Sequence, residues 1–204
     1  MAANIIQAGV TLPETFMNTD TPRITPLDPS QWTDEMRELM QLPGHGFVSE
    51  KVSGYLATLL RHPGLYRRYA GFAGKLLMKG KLPARARELA ILRIGWLCKA
   101  PYDWGEHVPI AKKCGITAAE IEQVIEGPGH AAWDTHDRTV VRTADELHSA
   151  SNVSDATWQE LSRHFDDKQL IELLMVIGAY QMISGVQNAL RVELPPGNAG
   201  LATR

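Results

Sequence analysis

Cysteine is scarce in this chain of 204 residues: only Cys98 and Cys114 occur, outside the C-x-x-C spacing of a zinc ribbon or a dithiol centre. Such scarcity fits a reduced, cytoplasmic protein. Excess charge of one sign is missing as well. With 21 basic and 23 acidic residues the formal net charge is -2, which gives no general electrostatic footprint for nucleic acid or an anionic membrane. Local arginines would have to hold any anion, and a small-molecule substrate is favoured over a polyanion. No G-x-G-x-x-G, P-loop or H-E-x-x-H occurs, so neither a cofactor nor a metal is expected. The opening MAANIIQAGVTLPETF has no basic n-region, and its apolar stretch is too short for a signal or a membrane span. Sustained alternation of apolar and polar residues is absent too, which leaves an all-α fold as the expectation.

What is present is helical periodicity. The 44% apolar content suffices for one well-buried domain. Residues 1–29 carry Pro13, Pro22, Pro26 and Pro29 without periodicity and read as an extended arm. From Ser30 the spacing turns helical, placing Trp32, Met36, Leu39 and Met40 on one face before PGHG, with His45, breaks it. SEKVSGYLATLLRH and PGLYRRYAGFAGKLLMKG repeat the pattern. PARARELAILRIGWLCK is apolar on nearly every side beyond Glu88, the signature of a central helix. A short helix over DWGEHVPIAKKC ends at Gly115, and Thr117 with Glu120 forms a capping box for the next. The long apolar run after Asp166 is interrupted by Glu172, Gln181, Gln187 and Asn188, which argues for a buried soluble helix. The domain is thus expected over 30–194, followed by a flexible or partner-bound tail at 195–204. The apolar surface around Ile91–Leu97 and Leu170–Ile183 exceeds what a lone bundle of this size buries, so a homo-oligomer is expected.

The chemistry concentrates between Arg87 and His107. Asp103 and His107 stand four apart on one predicted helix and share a face, as a carboxylate–imidazole pair able to hold or deliver a proton. Glu88 comes near them if the two helices fold back through the KAP turn; it equally suits a first-turn acid facing the helix dipole. Arg87 and Arg93 are candidate anchors for a substrate anion, whereas Arg85 reads as a salt-bridge residue. Tyr102 and Trp104 flank Asp103 as candidate pocket wall. Cys98 fits either a packing residue or a thiol at the pocket. His45 and His130, in glycine-rich turns, read as loop histidines.

Taken in order, R-E-L-A-I-L-R, then Y-D-W-G-E-H, then P-I-A-x-x-x-G-I-T resemble the motif of the carboxymuconolactone decarboxylase and alkylhydroperoxidase D superfamily, typically Y-E-W-x-x-H. The resemblance extends from about Ile24 to Leu194. It implies a helical domain associating as trimers or hexamers, a dimer being the further possibility, with the site near subunit contacts. Redox members carry a relay of Glu, C-x-x-C and His. Glu88 and His107 match that relay, but Ala100 and Asp103 hold the cysteine positions, which removes dithiol cycling. The decarboxylase branch resembles the chain at Arg87, Asp103 and His107, and Glu88 departs from it. The resemblance implies a cofactor-independent lyase or decarboxylase working by proton transfer on a small carboxylated or lactone substrate, with His107, Asp103 and Glu88 catalytic. Substrate contacts would come from Arg87, Arg93, Tyr102, Trp104 and Cys98. Two alternatives stand beside it: a non-catalytic oligomeric ligand-binding protein, and a peroxide-active protein using Cys98 alone.

Overall fold

A computed structural model describes residues 21–41 and 53–204. Most of the expected arm, the PGHG break with His45, and the start of SEKVSGYLATLLRH lie outside the described residues. Among those described, the chain is helical with no strand. The helices are α1 (Asp34–Met40), α2 (Gly54–Leu59), α3 (Pro63–Met78), α4 (Ala84–Leu97), α5 (Pro101–Lys113), α6 (Ala118–Glu126), α7 (Thr135–Ala150), α8 (Asp155–His164) and α9 (Asp167–Leu190). Local chemistry explains the starts. Thr33, Ser53, Thr117, Asp134, Ser154 and Asp166 each accept a hydrogen bond from a first-turn N–H, satisfying donors the helix cannot. The expected capping box of Thr117 and Glu120 forms.

The central helix is α4, which packs against α5, α6, α7 and α9. Leu89, Ala90, Ile91, Leu92 and Ile94 are all buried, so the all-round apolar pattern has neighbours on every side. Each fully buried Leu or Ile contributes roughly 1.5–3 kcal/mol. By length and composition α9 is apolar enough to cross a membrane, yet Leu173, Val176, Ile177 and Ile183 join the core. Its interruptions have structural partners: the Glu172 carboxylate accepts the backbone N–H groups of Lys81 and Leu82, closing the α3–α4 loop. An outward stripe of Ile171, Met175 and Met182 stays exposed.

Both ends of the described chain strap onto this bundle. Residues 21–28 form neither helix nor strand and are tied by the Arg23 N–H to the Leu190 carbonyl and the Leu27 N–H to the Ala57 carbonyl. The flexible tail expected at 195–204 is instead docked on α5. Asn198 Nδ2 donates to the Tyr102 carbonyl and to Glu106, Trp104 Nε1 donates to the Thr203 carbonyl, and Arg204 pairs with Glu122. Gly105 makes this possible, because a Cβ there would collide with the Asn198 side chain. Composition pointed to disorder, but a segment this short is ordered by what it covers, and here it covers Trp104.

Candidate functional site

The elbow between α4 and α5 brings the chemistry together. Lys99 takes a left-handed conformation (φ 49°), and Pro101 opens α5, where its missing N–H costs nothing. The chain therefore doubles back, and α5 lies alongside α4. Glu88, in the second turn of α4, then meets His107: His107 Nδ1 lies 2.8 Å from Glu88 Oε2. A carboxylate there fixes the proton on Nδ1. The other oxygen, Oε1, accepts from Arg87 Nε at 3.0 Å.

On the far side of the imidazole stands Tyr180 of α9, its hydroxyl 2.9 Å from His107 Nε2 and its ring edge-on to the imidazole at 5.0 Å. The result is a buried chain, Glu88–His107–Tyr180. Its electrostatics are cooperative. Burial opposes ionisation of Glu88, but His107 and Arg87 outweigh it and hold the carboxyl below its ordinary value. Burial likewise works against the imidazolium, yet Glu88, with help from Asp103, raises the His107 pKa. Burial pushes the Tyr180 phenol well above its ordinary value, so it stays protonated and able to donate.

Asp103 departs from the expected direct pair. Its carboxylate accepts from Gln187 Nε2 at 2.9 Å and Ser184 Oγ at 3.1 Å, while both ring nitrogens of His107 face Glu88 and Tyr180. The spacing of four does put Asp103 and His107 on one face, but their coupling is through space. Burial raises the Asp103 pKa, with His107, Gln187 and Ser184 pulling the other way. Tyr180, Ser184 and Gln187 recur at i, i+4 and i+7 on α9, one stripe facing α5. None of the three was singled out as a site residue from sequence. The signal was there, as a polar stripe inside an apolar run at helical spacing.

These groups line a cavity of about 80 Å³ between α2, α3, α5 and α9. Its wall is aromatic: Tyr55, Tyr66, Tyr69 and Tyr102 join Tyr180, with His107, Asp103, Glu106 and Gln187 supplying polar atoms. Tyr102 is thus on the wall as expected, and its hydroxyl shares a 2.5 Å hydrogen bond with Ser53 Oγ.

Four expected substrate contacts are elsewhere. Arg93 is buried, bound to Asp145 and to the carbonyls of Val124 and Ile125. It staples α6 and α7 to α4, and Gly127 (φ 97°) leaves the space its guanidinium fills. Arg87 is committed to Glu88 and is absent from the cavity wall. Trp104 faces the opposite side of α5, packed on Trp96 at 5.0 Å. Cys98 caps α4 with its sulfur 3.9 Å from His148 Nδ1, and burial pushes its pKa up to about 11. Helical spacing alone does not tell which face of α4 or α5 looks into a cavity that α9 completes. Among the described residues one group has metal-ligand geometry, Asp134, His136 and Asp137. Asp137 is already bound to Arg85, and Asp134 caps α7.

Comparison with known proteins bears on the family and the fold. The model of the carboxymuconolactone decarboxylase family matches residues 63–146, from α3 into α7 and across Glu88, Asp103 and His107. Over this segment the chain is similar to the carboxymuconolactone decarboxylase family. No curated protein matches it. Among solved structures it resembles an uncharacterized peroxidase-related protein from Silicibacter sp. TM1040 (TM-score 0.73, 16% identity, covering 89% of this chain and 97% of that one). An alkylhydroperoxidase AhpD core protein from Ralstonia eutropha JMP134 is similar to the same degree (TM-score 0.73, 16% identity, 90% and 100%). The debrominase Bmp8, in a cysteine-to-alanine form with 2,3,4-tribromopyrrole bound, gives a TM-score of 0.67 at 17% identity over 89% and 95%. At these identities the likeness is one of fold. Ala100, fully buried, and Asp103, buried, stand where the resemblance places the redox cysteines.

Proposed function

We propose that the protein is a cofactor-independent proton-transfer enzyme of the lyase or isomerase class, acting on a small lactone or other carbonyl compound in a reducing compartment. The observation that carries this reading is the buried Glu88–His107–Tyr180 hydrogen-bond chain, which ends at the cavity. With His107 charged, Nε2–H donates to Tyr180 Oη and leaves the phenolic O–H to donate to a bound carbonyl. As a carbon–carbon bond of the substrate breaks, or as Asp103 takes up the proton of a carbon–hydrogen bond, the electron pair left behind moves onto that carbonyl. Tyr180 then passes its proton to the developing enolate oxygen and takes one from His107 Nε2, while Glu88 holds Nδ1–H throughout. The enol oxygen then returns this proton to Tyr180, and Tyr180 returns one to His107 Nε2, as the substrate carbon is reprotonated by Asp103 or, after carbon–carbon cleavage, by solvent. His107, expected from sequence to face the substrate, becomes the relay, and Tyr180 becomes the contacting acid. Asp103 and its α9 partners set the opposite wall.

A screen of lactones and other neutral carbonyl compounds tests this, followed by NMR for deuterium uptake from solvent, with lactone acids and β-keto acids, followed by carbon dioxide release, as the charged comparison. Loss of a positioned acid or base typically costs about 10²–10⁴-fold, so Tyr180→Phe and His107→Ala are both expected to lose turnover to that extent. A Tyr180→Phe protein that folds normally and keeps wild-type turnover would remove the relay. Saturable binding without turnover of any compound would favour the ligand-binding alternative.

A further inference from the structure

A residue of the cavity wall, Gln187, holds an acceptor that nothing among the described residues satisfies. Gln187 is 3% exposed. Its Nε2 donates to Asp103, and this contact orients the amide, since turning it over would set its carbonyl oxygen against a carboxylate oxygen. The other end, Oε1, is buried with no hydrogen-bond partner among the described residues. A buried acceptor left open is costly, and native proteins seldom keep one without a use.

The charges around it are unsuited to an anion. Asp103 and Glu106 both line the cavity, and His107, the one cationic group among its described lining residues, is already balanced by Glu88. Arg87 and Arg93, the expected anion anchors, are engaged by Glu88 and Asp145. A carboxylate entering here would meet two acids and bring no donor to Gln187.

We infer that Gln187 is a specificity-determining residue of this site, its carbonyl oxygen receiving an O–H or N–H donor of an uncharged substrate whose carbonyl lies toward Tyr180. This rests on the proposed function for the Tyr180 end only. The substrate class is therefore a small neutral hydroxy-carbonyl or amide, and free carboxylates are excluded. Size agrees: a cavity of about 80 Å³ holds several water-sized groups at roughly 10–15 Å³ each, enough for a small molecule. The reacting end of a larger substrate fits as well.

The test is equilibrium binding of three matched probes to the full-length wild-type protein at neutral pH, read by calorimetry or ligand-observed NMR. Propionamide carries a carbonyl and a donor, propionate is its anionic near-isostere, and N,N-dimethylpropionamide lacks the donor. Propionamide is expected to bind at least about tenfold more tightly than either, as the loss of one good hydrogen bond allows. Gln187→Met should erase that preference, with thermal melting confirming that the variant is folded. Equal or tighter binding of propionate, saturable binding of none of the three, or a preference unchanged in folded Gln187→Met would each overturn the inference. Because binding is measured without turnover, the two proposals fail separately. His107→Ala should keep the preference even though it loses catalysis, and a turnover-competent Tyr180→Phe would leave the Gln187 result untouched.

Discussion

Replacing Glu88 by Gln probes the most deeply buried charge in the site. The Glu88 and His107 side chains are 1% and 4% exposed and 2.8 Å apart, so neither has water to fall back on. Removing one partner of a buried pair typically costs about 3–5 kcal/mol; Gln keeps the shape and one acceptor, which puts the expected loss near ~3 kcal/mol. Its pH dependence has a definite sign. The His107 pKa is raised above its ordinary 6.5, so its contribution is full below 6.5 and fades as pH rises through the folded value. The Glu88 pKa is lowered from 4.5, so its contribution is full above 4.5 and fades as pH falls through the folded value. Both are complete between 4.5 and 6.5. Urea denaturation of wild type and Glu88→Gln across pH should therefore show the largest difference in that window and a smaller one on the alkaline side. A difference flat with pH, or below the roughly 1 kcal/mol of an exposed pair, would refute the buried ion pair.

Three further outcomes follow from other parts of the molecule. Arg93→Met should lower the melting temperature by removing the staple between α4, α6 and α7, while kcat and KM for any substrate found stay at wild-type values; a selective rise in KM would return Arg93 to the substrate. At pH 7 a thiol with a pKa of about 11 is ionised to roughly one part in 10⁴, so Cys98 should titrate slowly with hydrogen peroxide, and dithiol-driven hydroperoxide turnover should be absent. Light scattering should give a multiple of the 22.6 kDa chain mass. Met182→Glu, on the exposed apolar stripe of α9, should shift it toward monomer; a wild-type monomer at micromolar concentration refutes the homo-oligomer.

The fold was readable because its signals are local. Caps at Thr117 and Asp166, glycine stops and the apolar run of α4 announce helices without knowledge of their neighbours. The pair of Glu88 and His107 was also legible, since a doubled-back α4–α5 hairpin is the natural outcome of the KAP turn. What escaped was everything supplied by α9, whose approach depends on long-range packing. Tyr180 was not singled out within the apolar run, and Gln187 read as an interruption. The assignment of arginines failed for a related reason. Arg93 sits in a run that reads as core, and only the carbonyls of Val124 and Ile125, some thirty residues on, show why a cation is buried there.

The docked segment after Pro195 gives α5 two masters. One flank of the helix carries Asp103 and His107; the other is gripped where Asn198 lies against the bare backbone of Gly105 and Thr203 takes the Trp104 indole. Asn198 also holds Glu106, whose side belongs to the cavity wall. The grip therefore works as a remote alignment screw: residues that never meet a substrate set the pitch of the helix that does. Changes selected or engineered in 198–204 are a route to retuning this pocket while every group inside it stays the same.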